Sequence, residues 1–293
     1  MIRKNIILMI LLVSLSLIFA GCSSNTDAKN SGFLGIGSGS SSNSNSGSGV
    51  TLEFADNNPP VKMIKGAPVN FAFIFSNYQK HDITDLIVKT KNFDRSYVNG
   101  LAETYNVALI PKLTTQAGAG IYTGLQISGV VVDGFTNNYL FNPSFEYCYT
   151  AKTTYREQTC IPSNQNVCNI QVDKSVESNG LVGVSVDRVN SIGNMIRIDF
   201  TLSNNQNGKV VNECFKTDDY SNDYVLNSVK LGTTQGTCTA ISGYKLNNGK
   251  SNFYCEFTRT SDEAYASQIT VDIDYKYNQE VKKQITVEDL NNY

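Results

Sequence analysis

Apolar residues recur at every second position in many short segments after residue 50, which is the pattern of β-strands with one buried face. In 196–202, Ile, Ile, Phe and Leu alternate with Arg, Asp and Thr, and in 269–277 two Ile, one Val and two Tyr alternate with Thr, Asp, Asp and Lys. No window carries a sustained apolar stripe at helical spacing, so the sequence predicts few helices. Asn-Gly pairs, which suit two-residue hairpin turns, stand at 99–100, 179–180, 207–208 and 248–249. The pattern therefore predicts an all-β sandwich or barrel.

The chain beyond residue 49 is longer than one sandwich usually requires. Domains usually hold roughly 100–150 residues, so residues 50–293 suit two of them. The segment 161–167, IPSNQNV, contains a proline and little hydrophobic pattern. We therefore predict two tandem sandwiches, residues 50–165 and residues 166–293, with the boundary in this segment.

The first 21 residues have the organisation of a secretory signal peptide. Arg3 and Lys4 form a positive n-region, and residues 6–19 form an apolar h-region that is too short for a comfortable membrane span. We expect segment 1–21 to direct export and to be removed.

Cys22 follows two small residues, Ala20 and Gly21, directly after the apolar run. This arrangement resembles the lipobox of prokaryotic lipoproteins, in which the thiol receives a lipid and becomes the new N-terminus. Phe19 departs from that pattern, because an aliphatic residue usually stands three positions before the cysteine. The resemblance implies lipid attachment at Cys22, and ordinary cleavage that leaves Cys22 as an unmodified thiol stays open.

Residues 23–49 are rich in Ser, Gly and Asn and contain too little apolar surface to order themselves. A flexible tether of this length reaches about 25–30 Å on average and roughly 90 Å when stretched. Together with Cys22 it forms the predicted segment 22–49, which holds the folded body away from a membrane.

Six further cysteines, an even number, predict three disulfides in an exported chain, and they are Cys148, Cys160, Cys168, Cys214, Cys238 and Cys255. A metal site is not expected, because no C-x-x-C pair occurs and His81 is the only histidine. Locality favours Cys148–Cys160 and Cys238–Cys255, since each pair flanks the polar loop of a predicted hairpin. The remaining pair is then Cys168–Cys214.

Several segments resemble the Ig-like, CARDB-type sandwiches of archaeal surface lipoproteins. They are the first strand at 50–54, the NNPP of 57–60, the KGAPVNFAF of 65–73 and the YCYTAKTTYREQTCI hairpin of 147–161. In that family a Gly-x-Pro step leads into the second strand, as GAP does here. The resemblance implies two immunoglobulin-like extracellular modules that bind or space other components and carry no catalytic residues. The chain has no tryptophan, which excludes a close antibody-type relative.

Charge and motifs argue against nucleic acid binding and against catalysis. The chain has 24 basic and 26 acidic residues and no basic block beyond the signal, so nucleic acid is not an expected partner. No G-x-S-x-G motif occurs, GYKLNNGKS at 243–251 has one residue too many for a phosphate-binding loop, and His81 lies in a polar turn where we expect it to be solvated. We expect no enzyme and no cofactor, and a carbohydrate-active enzyme with a pair of carboxylates stays an open alternative.

The connection 214–224, CFKTDDYSNDY, is the best candidate for a contact surface. It combines carboxylates and phenols, which suit calcium, protein or sugar contacts, in Asp218, Asp219, Tyr220, Asp223 and Tyr224. With an odd number of strands in each domain, we expect this connection at the outer end of the second sandwich, beside the turn at 190–194. Cys214 would fix one end of it. A solvated acidic loop without a special role stays the alternative.

The sequence thus predicts a lipid-anchored cell-surface protein outside the cytoplasm. Its immunoglobulin-like sandwiches would form a non-catalytic binding or envelope-interaction module. The predicted partners are the membrane, through Cys22, and an envelope or extracellular protein or glycan. A structural spacer or subunit of the cell envelope is the alternative from a different class.

Overall fold

The alternating segments form β-strands throughout the part of the chain that the computed structural model describes, which is residues 49–112, 120–172, 176–204, 206–215, 223–241 and 243–290. That part is all-β, as the sequence predicts. The strands are β1 Val50–Phe54, β2 Lys62–Ile64, β3 Val69–Asn77, β4 Leu86–Lys91, β5 Val98–Asn99, β6 Thr104–Val107, β7 Gly120–Val132, β8 Tyr139–Phe141, β9 Ser144–Ile161, β10 Val176–Asn179, β11 Val182–Ile192, β12 Met195–Asn204, β13 Lys209–Val211, β14 Tyr224–Leu231, β15 Thr234–Gln235, β16 Thr237–Ala240, β17 Lys250–Thr258, β18 Tyr265–Lys282 and β19 Ile285–Glu288.

Two long strands, β9 and β18, of 18 residues each, form the centre of the fold. They pair antiparallel along their whole length, from Ser144 opposite Lys282 to Ile161 opposite Tyr265. At roughly 3.3 Å per residue, this two-stranded ribbon is about 60 Å long. Its odd-numbered residues are mostly buried and its even-numbered residues are mostly polar. The ribbon therefore has an inner and an outer face.

The ribbon is part of an eight-stranded sheet with the order β15-β14-β18-β9-β4-β6, in which β10 also pairs with β9 and β13 with β18. β4 pairs with the first part of β9, as far as Cys148, and β10 pairs with a later part that begins at Thr154. β14 and β13 pair one after the other with the edge of β18 that faces away from β9. Each long strand thus has different neighbours at its two ends.

Two four-stranded sheets cover the inner face of the ribbon, one at each end. The first covering sheet, β1-β3-β7-β5, packs on the beginning of β9, where the ring of Phe145 lies 4.9 Å from that of Phe73 and 5.8 Å from that of Phe54. The second covering sheet, β11-β12-β17-β16, packs on the other end, where Thr153 Oγ1 donates to Val182 O at 3.3 Å. The result is two sandwiches that share one continuous ribbon.

A small sheet of order β2-β19-β8 completes the end of the molecule that carries the first covering sheet. β19 pairs parallel with β2 and antiparallel with β8. Directly after β2 and β19, Lys65 Nζ lies 2.8 Å from Asp289 Oδ2, and both side chains are largely buried. This ion pair ties the last strand to β2.

The boundary predicted at residues 165 and 166 does not separate two independent sets of sheets. β9 precedes that boundary and β18 follows it, yet the two strands are paired over their full 18 residues. The described residues also group as one compact unit of contacts. Two tandem immunoglobulin-like domains are therefore not confirmed.

Buried tyrosines of the ribbon hold the covering sheets through their hydroxyl groups. Tyr149 Oη accepts a hydrogen bond from Val50 N at 2.8 Å. Tyr275 Oη accepts from Leu181 N at 3.0 Å and from Val182 N at 3.2 Å. Burial raises the pKa of both hydroxyls, so they stay protonated. Together they satisfy three backbone N–H groups that have lost contact with water.

Candidate functional site

The six predicted disulfide cysteines form three disulfides, but only one of the predicted pairings is present. Cys238–Cys255 is confirmed, because the two residues face each other between β16 and β17 with their Cα atoms 4.0 Å apart. The pairings Cys148–Cys160 and Cys168–Cys214 are wrong. The structure joins Cys148 to Cys214 and Cys160 to Cys168, with Cα separations of 5.6 Å and 6.3 Å.

The physical reason for the wrong pairing lies in β9. The segment 147–161 is not a hairpin with a polar loop, since it belongs to one uninterrupted strand. An extended strand places Cys148 and Cys160 about 40 Å apart, which is far beyond the Cα separation that a disulfide allows. The two cysteines therefore serve opposite ends of the ribbon.

The Cys148–Cys214 disulfide fixes a segment that crosses the outer face of the ribbon, and we call residues 212–215 the strap. Before the strap, β13 pairs with β18. Cys214 then reaches Cys148 on β9, and Lys89 of β4 holds its Nζ 5.8 Å from the ring centre of Phe215. Cys148 points to the outer face but is fully buried, because the strap covers it.

The strap places the candidate contact loop, residues 214–224, away from its expected position. The connection that begins at Cys214 starts over the first third of β9, at Cys148, and it ends where Tyr224 pairs with Tyr275. The turn at 190–194 lies at the far end of the ribbon, where Ser191 Oγ donates to Pro162 O at 3.0 Å. The expectation that the two lie side by side at an outer end is wrong.

Two of the five predicted contact residues are described, and both have structural partners. Tyr224 is buried, and its hydroxyl lies 2.9 Å from Ser251 Oγ, so the ring is part of the core and is not presented to a partner. Asp223 Oδ2 accepts a hydrogen bond from Leu246 N at 2.8 Å, and burial raises the pKa of its carboxyl. Asp218, Asp219 and Tyr220 lie outside the described residues.

A polar turn fills a gap beside the middle of β9, between the start of β4 and the end of β10. Thr150 lies in this gap, and its N–H donates to Asp85 Oδ1 at 3.1 Å. The backbone of the same Thr150 lies close enough to His81 to affect the pKa of its imidazole. The carboxylate of Asp85 thus replaces a hydrogen bond of a missing strand. His81 is half-buried here and not fully solvated as expected.

The environment of His81 favours its neutral form. Burial of the imidazole is the main cause that lowers its pKa below the ordinary value of 6.5, and the charge of Lys152 adds to the effect. The Thr150 backbone and the carboxylates of Asp274 and Asp82 oppose the shift without cancelling it. Protonation of His81 therefore opposes the folded state.

We expect the protein to lose stability as the pH falls below about 6.5, and we expect His81→Gln to lose less. The contribution of neutral His81 is complete above the pKa of the unfolded state and is lost as the pH falls through the lowered pKa of the folded state. Urea unfolding at pH 7.5 and pH 5.5 measures the difference. The chain has one histidine, so a proton NMR titration of that ring is an unambiguous second readout. A midpoint above 6.5 would contradict the prediction.

A partly exposed cluster on the second covering sheet is the feature that the sequence reasoning missed. The guanidinium of Arg197 lies 3.7 Å from the ring centre of Tyr254, and Arg197 Nε donates to Asp199 Oδ1 at 2.9 Å. The alternation of 196–202 indicates that Arg197 and Asp199 face outward. It does not indicate that Tyr254 lies beside them, because that contact depends on the pairing of β12 with β17.

The described residues offer no arrangement typical of a metal site, since none of their His, Cys, Asp and Glu side chains form a group of three or more that can hold an ion. The same part of the chain contains no helix that is long and apolar enough to cross a membrane. No protein-family model matches the chain, and no curated protein sequence matches it.

Proposed function

We propose that the chain is a lipid-anchored surface protein outside the cytoplasm, whose β-sandwich body is a non-catalytic binding or envelope-interaction module. The observation that carries the proposal is the combination of a signal-like segment, Cys22 and a Ser/Gly/Asn-rich tether with a body in which six cysteines form three disulfides. Stable disulfides are typical of proteins that fold in an oxidising, exported environment.

The resemblance to Ig-like, CARDB-type surface lipoproteins belongs to the same proposal. The all-β, sandwich-like fold is compatible with it. In this proposal the membrane is one partner, through the lipid on Cys22, and an envelope or extracellular protein or glycan is the other. Nucleic acid, a metal and a cofactor have no part in it.

A structural spacer of the cell envelope is the second candidate, and one observation favours it. The ribbon of β9 and β18 is continuous over 18 residue pairs, which gives a body about 60 Å long without a hinge between its two sandwiches. A rigid body of this length suits a protein that holds other components at a distance.

We expect Cys22→Ser to remove the protein from the membrane fraction or to leave an uncleaved precursor. The reason is that Cys22 is the proposed attachment point, and a hydroxyl cannot form the thioether to the lipid. Detergent phase partitioning and the mass of the N-terminal peptide measure the effect. Ser23→Ala is the matched control, and this variant should partition into the detergent phase as the wild-type chain does. A wild-type chain that is wholly in the aqueous phase contradicts the lipoprotein proposal.

A further inference from the structure

The turn that follows β3 buries polar atoms that have no hydrogen-bond partner. Gln79 is only 6% exposed, and neither its Oε1 nor its Nε2 has a partner among the described residues. Two residues later, Nε2 of His81 is also buried, and the described part of the chain offers it no partner. Buried polar groups are almost always hydrogen-bonded, because an unpartnered one loses the water that it binds in the unfolded chain. An open conformation of this turn would hydrate all three atoms.

The same turn holds the residue at which the tether joins β1, and we call residues 78–82 the latch. Tyr78 N donates to Gly49 O at 2.8 Å. At the other end of the latch, Asp82 Oδ1 accepts a hydrogen bond from Lys112 N at 2.7 Å. These bonds join the latch to two segments that are distant in the sequence, and none of them belongs to a sheet. The latch can therefore open without breaking a strand pairing.

A proton on His81 adds to the cost of the closed latch. The imidazolium carries an N–H on both ring nitrogens, whichever nitrogen holds the proton in the neutral ring. Nε2 then becomes a donor in a buried place where no acceptor reaches it. In an open latch, water accepts that hydrogen bond. Protonation therefore disfavours the closed conformation and not the open one.

The charges around the imidazole largely compensate each other, so burial decides the direction of the effect. Burial is the largest influence on His81 and lowers its pKa. Neutral His81 therefore favours the closed latch, and this advantage is lost as the pH falls through the lowered pKa. The charged groups that act on the ring or border it are Asp82 on the latch, the pair Lys152–Asp274 of β9 and β18, with Nζ and Oδ2 4.0 Å apart, the pair Lys276–Asp85 at 3.7 Å and the pair Lys80–Glu177 at 3.2 Å.

We propose that residues 78–82 form an acid-opened latch, which is closed over the root of the tether near neutral pH and opens locally when His81 binds a proton. Opening breaks the bond between Tyr78 and Gly49 and leaves the sheets paired, because β3 ends at Asn77 and Ile83 is buried just beyond the latch. The attachment of the body to its tether then depends on pH. This local event differs from the global loss of stability at low pH, and it does not require a lipid on Cys22.

Hydrogen exchange of the detergent-solubilised full chain at pH 7.5 and pH 5.5 tests the latch. The amide of Tyr78 is the reporter, and the amide of Asn204 is the matched reference, since it donates to Gly249 O in another turn at the same distance of 2.8 Å. After correction for the pH dependence of chemical exchange, protection at Tyr78 should fall at least about fivefold more than protection at Asn204. An equal change at the two amides overturns the proposal.

Two variants separate the proton from the unpartnered amide. His81→Gln removes the titrating group and should show wild-type protection of Tyr78 at pH 7.5, with no additional fall at pH 5.5. Gln79→Leu replaces the unpartnered amide by an apolar group of similar size, so protection of Tyr78 should rise at both pH values while the pH-dependent fall remains. A fall that persists in His81→Gln, protection that is already lost in that variant at pH 7.5, or lower protection in Gln79→Leu overturns the proposal.

Discussion

Replacing Cys148 and Cys214 together by alanine is expected to lower the free energy of unfolding by about 4 kcal/mol. The disulfide closes a loop with a sequence separation of 66, so its loss gives the unfolded chain much additional freedom. The same change at Cys160 and Cys168, whose sequence separation is 8, should cost about 2.5 kcal/mol. The loss at the strap is larger still if the strap leaves the outer face of the ribbon.

Urea unfolding of a soluble chain of residues 45–293 under oxidising conditions measures both losses. Peptide mapping of the wild-type protein without reduction provides the control, because it should recover a peptide pair that joins Cys148 to Cys214. Recovery of a Cys148–Cys160 pair would contradict the structure. So would a greater loss of stability in the variant without Cys160 and Cys168.

Replacing Phe145 by alanine is expected to destabilise the protein by about 3–5 kcal/mol, the usual cost of removing a buried phenylalanine. Phe145 is fully buried and its ring lies within 5.8 Å of the ring centres of Phe54, Phe71 and Phe73. No neighbouring side chain can fill so large a space without moving the covering sheet. A cavity should therefore remain at the centre of the first sandwich.

The shared ribbon makes the consequence of Phe145→Ala global. Because β9 continues from the first sandwich into the second, unfolding of one end removes the surface on which the other end packs. Hydrogen exchange should therefore accelerate at the amides of Ile198 and Phe253, in the second covering sheet, as well as in the first. Two independent domains would leave these distant amides unchanged.

The reciprocal variant is Phe253→Ala. Phe253 is also fully buried, and its ring stacks on Phe200 with centres 4.8 Å apart. We expect the same global loss, with faster exchange at the amide of Phe73 in the first covering sheet. Acceleration that stays within the mutated half, in both variants, would contradict a common unfolding unit.

The sequence reasoning found the local features of the molecule and failed where distant segments meet. The segments 196–202 and 269–277 are strands, and Cys238 pairs with Cys255 across a connection that turns at Asn248. Each of these depends on residues close together in the chain. The partner of Cys148 depends on where the strap crosses the ribbon, and no nearby residue reports that.

The candidate contact surface shows the same limit. The carboxylates and phenols of the loop 214–224 predict a contact surface, but residue chemistry does not report burial, and Tyr224 faces the core. Arg197 and Tyr254 have ordinary neighbours in the sequence. They become a cluster only because β12 and β17 pair in the register that places Asp199 opposite Tyr254.

The period-two pattern is enough to predict that this protein is built from β-strands, because alternation follows from the geometry of one extended strand. Three of the four Asn-Gly pairs correctly indicate turns, since Gly100, Gly180 and Gly249 all have the positive φ that such turns use. Which strands the turns connect depends on how the sheets pack together. The pair at 99–100 joins β5 of the first covering sheet to β6 of the large sheet, and the pair at 179–180 joins β10 to β11 of the second covering sheet. The physical reason is that every strand with one apolar face can pair with many others, and burial against the shared ribbon selects among them.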